Sequence, residues 1–134
     1  MTKEEKVKYW VDLSDRDLQA ALTLAGGGHY LWAGFMCHQV IEKIFKGFYL
    51  ALQDETPPFT HELDLLAKRG GFYDTLDEKQ IAFLDILNPL NIEARYPEYK
   101  NRISKSLNGE ICENFLKQVK TLQQWTKEKI LLTK

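Results

Sequence analysis

Residues 29–52 read HYLWAGFMCHQVIEKIFKGFYLAL. Within them Ala33, Cys37, Val40, Ile44, Phe48 and Ala51 recur in steps of three and four, the period of an α-helix and not the alternation of a strand. His38, Gln39, Glu42, Lys43 and Lys46 fall on another side, so one helix joins a continuous apolar face to a polar one. At about 1.5 Å per residue it is about 35 Å long, the span of a small domain. The rest of the chain is material to cover it.

Upstream, Thr2 and Glu5 have the spacing of a capping box. Val7, Val11, Ser14, Leu18, Ala21 and Ala25, widened by Trp10 and Leu22, predict a first helix over about 3–25. It ends in Gly26-Gly27-Gly28, and so short a connection lays the two long helices side by side and antiparallel. Gly34 and Gly47 inside the second helix are expected to mark close approach of a neighbour. Downstream, Pro57-Pro58 ends that helix in a loop. Thr60 is expected to cap a short third helix that carries His61, Glu62 and Asp64 in its first turn and stops at Gly70-Gly71.

Asp77 with Gln80 forms a second capping box, and Leu76 with Ile81 has the spacing of a hydrophobic staple, so a fourth helix runs to about 87. Residues 88–108, NPLNIEARYPEYKNRISKSLN, lack helical periodicity, are punctuated by Pro89 and Pro97, and predict a long irregular loop. Ile111, Phe115, Val119, Leu122, Trp125 and Ile130 predict a last helix over about 109–131. The expected fold is all-α: a single domain over 1–134, an up-and-down antiparallel bundle of about five helices, with no strands and no repeat.

Composition narrows the function. A chain of 134 residues, 44% hydrophobic and 28% charged, is long enough to bury a core without metals or disulfides. A net charge of -1 removes any global attraction to nucleic acid. Cys37 and Cys112 belong to no CxxC pair, which argues against structural zinc and a disulfide framework, and Cys37 reads as a small buried hydrophobe. No apolar run reaches about 18 residues, so no membrane span is expected. The opening MTKEEKVKYW does not resemble a signal peptide, and a cytoplasmic location is the expectation.

Three groups of residues could carry chemistry. His38 and Glu42 are four apart and therefore neighbours on one side of the helix, where a carboxylate can hold an imidazole as a general base is held. The same pattern arises on any solvated helix or subunit interface. His61, beside its cap, is expected to donate a hydrogen bond inward, and without HExxH spacing no metal is expected. Arg95 offers a rigid fork for phosphate or carboxylate, and Tyr96, restrained by Pro97, could stack on a base. Arg95 pairing with a carboxylate of the domain is the plainer alternative. Trp10, Trp32, Phe35, Phe45, Phe48 and Phe115, with Tyr30 and Tyr49, exceed what the centre of a short bundle needs, and an exposed aromatic stripe would imply a dimer.

Four segments in order, YWVDLSDRDLQAALTLAGGGHY (9–30), WAGFMCHQVIEKIFKGFYLAL (32–52), PFTHELDLLAKR (58–69) and NIEARYPEY (91–99), resemble the HEPN family over about 7–130. The resemblance implies an all-α bundle that forms a homodimer and binds nucleotide, or assists a minimal nucleotidyltransferase encoded nearby. It points to His38, Gln39 and Glu42, to His61 in THEL, and to Arg95 and Tyr96 in RYP as cleft residues, with no metal and no cofactor beyond a nucleotide ligand. Ribonuclease toxins of the family carry an arginine followed four to six residues later by histidine. Here YPEYKN follows Arg95, ISKSLN follows Arg102, and no histidine follows His61. The expectation is therefore a non-catalytic nucleotide-binding or accessory homodimer working with a nucleotidyltransferase. A metal-independent ribonuclease of a toxin–antitoxin pair and a purely structural dimerisation module are the alternatives.

Overall fold

The computed structural model describes residues 1–93 and 107–133. Five α-helices lie among them: α1 (Lys3–Gly26), α2 (Tyr30–Gln53), α3 (Leu63–Gly70), α4 (Glu78–Glu93) and α5 (Gly109–Leu132). A single 3-10 turn, Tyr73–Thr75, joins α3 to α4. The architecture is an all-α up-and-down bundle, with no strand among the described residues.

The two capping boxes hold. Thr2 Oγ1 accepts the Glu5 amide at 3.1 Å while Glu5 Oε1 accepts that of Thr2 at 3.3 Å. Asp77 and Gln80 exchange the same pair of bonds at 2.7 and 2.9 Å. Each box meets two amides that a helix start leaves without partners. Asn108, not singled out from sequence, caps α5 through the Ile111 amide at 2.9 Å.

α2 is the axis of the bundle and packs on α1, α3, α4 and α5. Of its 24 residues 17 are buried, including His38, Gln39, Glu42 and Lys46. A helix enclosed on every side needs no solvated stripe. The polar face of α2 is therefore largely interior: His38 and Glu42 meet the loop before α3, and Gln39 meets α4. The aromatics are also absorbed inward: Phe72 stacks on Phe48 at 4.4 Å and meets Phe45 edge-on at 5.1 Å. Among those expected in an exposed stripe, Trp32 is 41% exposed, whereas Phe45, Phe48 and Tyr49 are core.

Two boundaries differ from expectation. α3 begins at Leu63, so Thr60 does not cap it; its hydroxyl instead accepts the Glu62 amide at 3.2 Å within the preceding loop. The cap arrives from α4, where Asn88 Oδ1 accepts the Leu63 amide at 3.0 Å and Asn88 Nδ2 donates to Asp64 at 3.0 Å. α4 runs through Pro89 to Glu93, past the expected stop near 87. Proline removes one helical hydrogen bond, but Leu84, Leu87, Leu90 and Asn91 are all buried and hold the helix on both sides of it. Residues 94–106 of the expected irregular loop, with Arg95, Tyr96 and Pro97, lie outside the described residues.

A polar network ties the first helix to the last. Ser14 Oγ donates to the Val40 carbonyl at 2.7 Å, and Gln123 Nε2 donates to Ser14 Oγ at 2.9 Å and to Asp15 at 3.1 Å. Lys127 Nζ reaches Asp15 at 2.6 Å.

The two glycines of α2 are sites of close packing of different kinds. A Cβ at Gly47 would lie 3.2 Å from Trp10 Cβ, an atom fixed by the α1 backbone. At Gly34 the neighbours are the terminal methyls of Leu107 (3.3 Å) and Leu90 (3.5 Å), which can rotate away. Gly47→Ala is expected to lower unfolding free energy by about 1–3 kcal/mol through overpacking. Gly34→Ala should be nearly neutral, with strain offset by better helix propensity. Urea denaturation of both variants checks the contrast.

Candidate functional site

Glu42 is at the centre. It projects from α2 with its side chain 3% exposed, and each oxygen has its own partner. Oε1 accepts the Nδ1 proton of His61 at 2.8 Å, and Oε2 accepts Lys46 Nζ at 3.0 Å. Burial pushes the Glu42 carboxyl up, but the His61 hydrogen bond and the Lys46 charge and hydrogen bond together hold it below its ordinary value. It is a buried, ionised carboxylate.

His38, one turn earlier, is fully buried. Its Nε2 lies 2.8 Å from the His61 carbonyl, which can only accept, so Nε2 carries the proton. Nδ1 then accepts from Gln39 Nε2 at 3.4 Å. Burial outweighs the nearby carboxylate and lowers the His38 pKa to about 4, leaving a neutral strut to the backbone of the loop. Gln39 also donates to Asn91 on α4 at 3.2 Å and accepts from Lys43 at 2.8 Å.

His61 is the exposed member, with 51% of its side chain open to solvent. His38 holds its carbonyl and Glu42 its Nδ1, while Asn88 fixes the helix that begins two residues later. With Nδ1 donating to Glu42, Nε2 of the neutral ring keeps its lone pair. An exposed imidazole oriented by a buried carboxylate is the arrangement a general base requires.

Four residues expected in one cleft, His38, Gln39, Glu42 and His61, are thus brought together, whereas Arg95 and Tyr96 lie outside the described residues. Sequence reading missed the parts played by Lys46 and Asn88. Lys46 stands four residues after Glu42, a spacing that could have suggested the pair. Asn88 acts across 25 residues of chain, and no local signal marks it. Among the described residues no group of His, Cys, Asp or Glu is arranged to hold a metal ion. Cys37 and Cys112 are buried free thiols, and burial raises the Cys37 pKa to about 12. Neither suits a nucleophile.

The HEPN domain model matches residues 7–130, nearly the whole chain. The chain belongs to the HEPN family. Two solved structures share its fold. TT1696 from Thermus thermophilus has a TM-score of 0.79 and 21% identity, with 92% of this chain and 98% of that one covered. ST0689, an archaeal HEPN homologue, has a TM-score of 0.66 and 21% identity, with coverage of 92% and 97%. No curated protein matches the sequence. Family membership corrects the expectation of a non-catalytic module, because HEPN domains are characteristically ribonucleases. The missing late histidine had disfavoured catalysis; a histidine held by a buried carboxylate is nonetheless present, at His61. No described helix is long and apolar enough to cross a membrane.

The buried histidine gives this HEPN domain a pH-dependent stability. As pH falls below 6.5 the unfolded chain protonates His38 while the folded chain resists until about 4, so stability is full above this window and lost through it. The shift corresponds to about 3 kcal/mol. Glu42 adds a loss at more acid pH, as its lowered folded pKa is crossed. Thermal denaturation should show the decline, and His38→Gln, which keeps a donor toward the His61 carbonyl, should flatten the part between pH 6.5 and 4.

Proposed function

We propose that this HEPN domain cleaves RNA without a metal, using His61 as general base and Glu42 as the carboxylate that orients it. The observation that carries the reading is the 2.8 Å bond from His61 Nδ1 to buried Glu42, on a histidine half exposed to solvent. In this reaction His61 Nε2 removes the proton of a ribose 2′-hydroxyl. The 2′-oxygen attacks the adjacent phosphorus, the bond to the 5′-oxygen breaks, the leaving oxygen takes a proton from water, and the hydroxide so formed takes back the proton held by His61. The products are a 2′,3′-cyclic phosphate and a 5′-hydroxyl. RNA carries its own nucleophile, so neither thiol nor metal is required, which suits a site with a base but no activated cysteine.

In this reading the base is His61, in the loop before α3, in a chain without the Arg-x4-6-His pattern. Arg95 and Tyr96 are the candidates for holding the phosphate and stacking on a base. A homodimer, a role in a toxin–antitoxin pair and a neighbouring nucleotidyltransferase as partner are supported by family resemblance and complete the proposal.

Incubation with single-stranded RNA in EDTA should yield cyclic-phosphate ends and leave DNA of the same sequence intact. His61→Ala should slow cleavage by about 10²–10⁴-fold, the range of a general base. No cleavage by the wild type, or equal cleavage by the variant, sinks the reading. His61 is half exposed, but the variant removes a hydrogen bond from buried Glu42, so thermal denaturation of His61→Ala checks that it is folded.

A further inference from the structure

A buried lysine demands a reason, since lysine is almost never enclosed unless paired. Lys46 is 7% exposed, and its ammonium sits between two partners. One is Glu42 Oε2 at 3.0 Å, one helical turn back on α2. The other is the ring of Trp10 on α1, whose centroid lies 5.6 Å from Nζ. The close approach that requires glycine at 47 brings the root of that indole against α2.

We propose that Lys46 is a positioning residue of the site: its enclosed ammonium keeps Glu42 charged and fixes which carboxylate oxygen is presented to His61. The proposal rests on the reading of Glu42 and His61 given above and adds the residue that sets their state. The two oxygens of Glu42 are shared out, Oε2 to Lys46 and Oε1 to His61, so holding one defines the other.

The surrounding charges leave this duty to Lys46. On α2, His38 is neutral and Lys43 pairs with Asp17 of α1 at 3.6 Å. Asp17, raised by burial and lowered by Lys43, is the other carboxyl close enough to feel Glu42. His61, ahead of α3, must gain and lose a proton to act as a base and cannot serve as a permanent counter-ion. Lys46 can. Without it, burial drives the enclosed carboxylate toward its protonated form, in which it no longer orients His61 as an ionised acceptor.

The test uses the full chain as wild type, Lys46→Met and Lys46→Arg. The ¹³C signal of the Glu42 carboxyl, followed against pH, should titrate at higher pH in Lys46→Met and return toward the wild-type course in Lys46→Arg. In RNA cleavage Lys46→Met should lower kcat about tenfold on the acid side of the profile with KM unchanged, as expected when one unit more of pH is needed to free the base. A purely structural lysine would instead leave the carboxyl titration of the folded variant unchanged, and that result overturns the proposal. Should Lys46→Met fail to fold, the wild-type ammonium decides: a Lys46 ¹H–¹⁵N signal protected from solvent exchange supports the role, and one in free exchange overturns it. If the wild type cuts no RNA, the cleavage reading fails while the carboxyl titration still decides the role of Lys46.

Discussion

A carboxylate at the centre of a helical bundle is costly unless its charge is answered at close range. Removing an ion of that size from water costs several kcal/mol even after the protein relaxes. Glu42 stands in such a place, and its surroundings follow from that requirement. Lys46 supplies the opposite charge from the same helix, and His61 supplies a hydrogen bond from the loop. The bond to His61 in turn needs a loop that holds its position. His38 grips the loop carbonyl, and Asn88 secures the start of α3 just beyond it. A single buried charge thus orders residues from α2, α4 and the loop between α2 and α3.

Reactivity and stability are joined in the same contacts. The polar atoms of His38, Gln39 and Asn91 satisfy one another away from water, and no buried side-chain nitrogen or oxygen among the described residues lacks a partner. What remains open to solvent is the ring of His61, the proposed base. Fully satisfied buried networks confer rigidity, and rigidity is what an exposed base needs to meet a substrate in one orientation. The buried groups beneath it do not themselves titrate near neutral pH: His38 stays unprotonated until about pH 4, and the thiol of Cys37 stays protonated up to about 12.

The helices were legible because their signals are local. Thr2 with Glu5 and Asp77 with Gln80 mark starts that depend on residues three apart. The apolar steps from Ala33 to Ala51 define one face of α2 whatever packs on it. The burial of the other face was not legible, because polar residues in helical register look the same on a solvated surface and beneath a neighbouring helix. Gln39 finds Asn91, and Glu42 finds His61, only after the chain has folded back. Thr60 misled for a related reason. A hydroxyl before a helical run usually caps it, but here a side chain from α4 provides the cap and the helix begins later. Pro89 misled because helix-breaking is a local tendency that the buried leucines around it override.

The bonds between Ser14, Gln123, Asp15 and Lys127 join residues more than 100 positions apart in the chain. They bear on the order in which a ribosome delivers the molecule. α1, α2 and the His61 loop emerge first, yet α2 stays uncovered along the side that receives Ile130 near Gly47 until α5 has been synthesised. The packing of α2 on that side is complete only when α5 docks. During translation the His61 loop therefore precedes one of the helices that α2 packs against. For a protein proposed to cut RNA, the bundle that carries the candidate base is assembled only after α5 has been delivered.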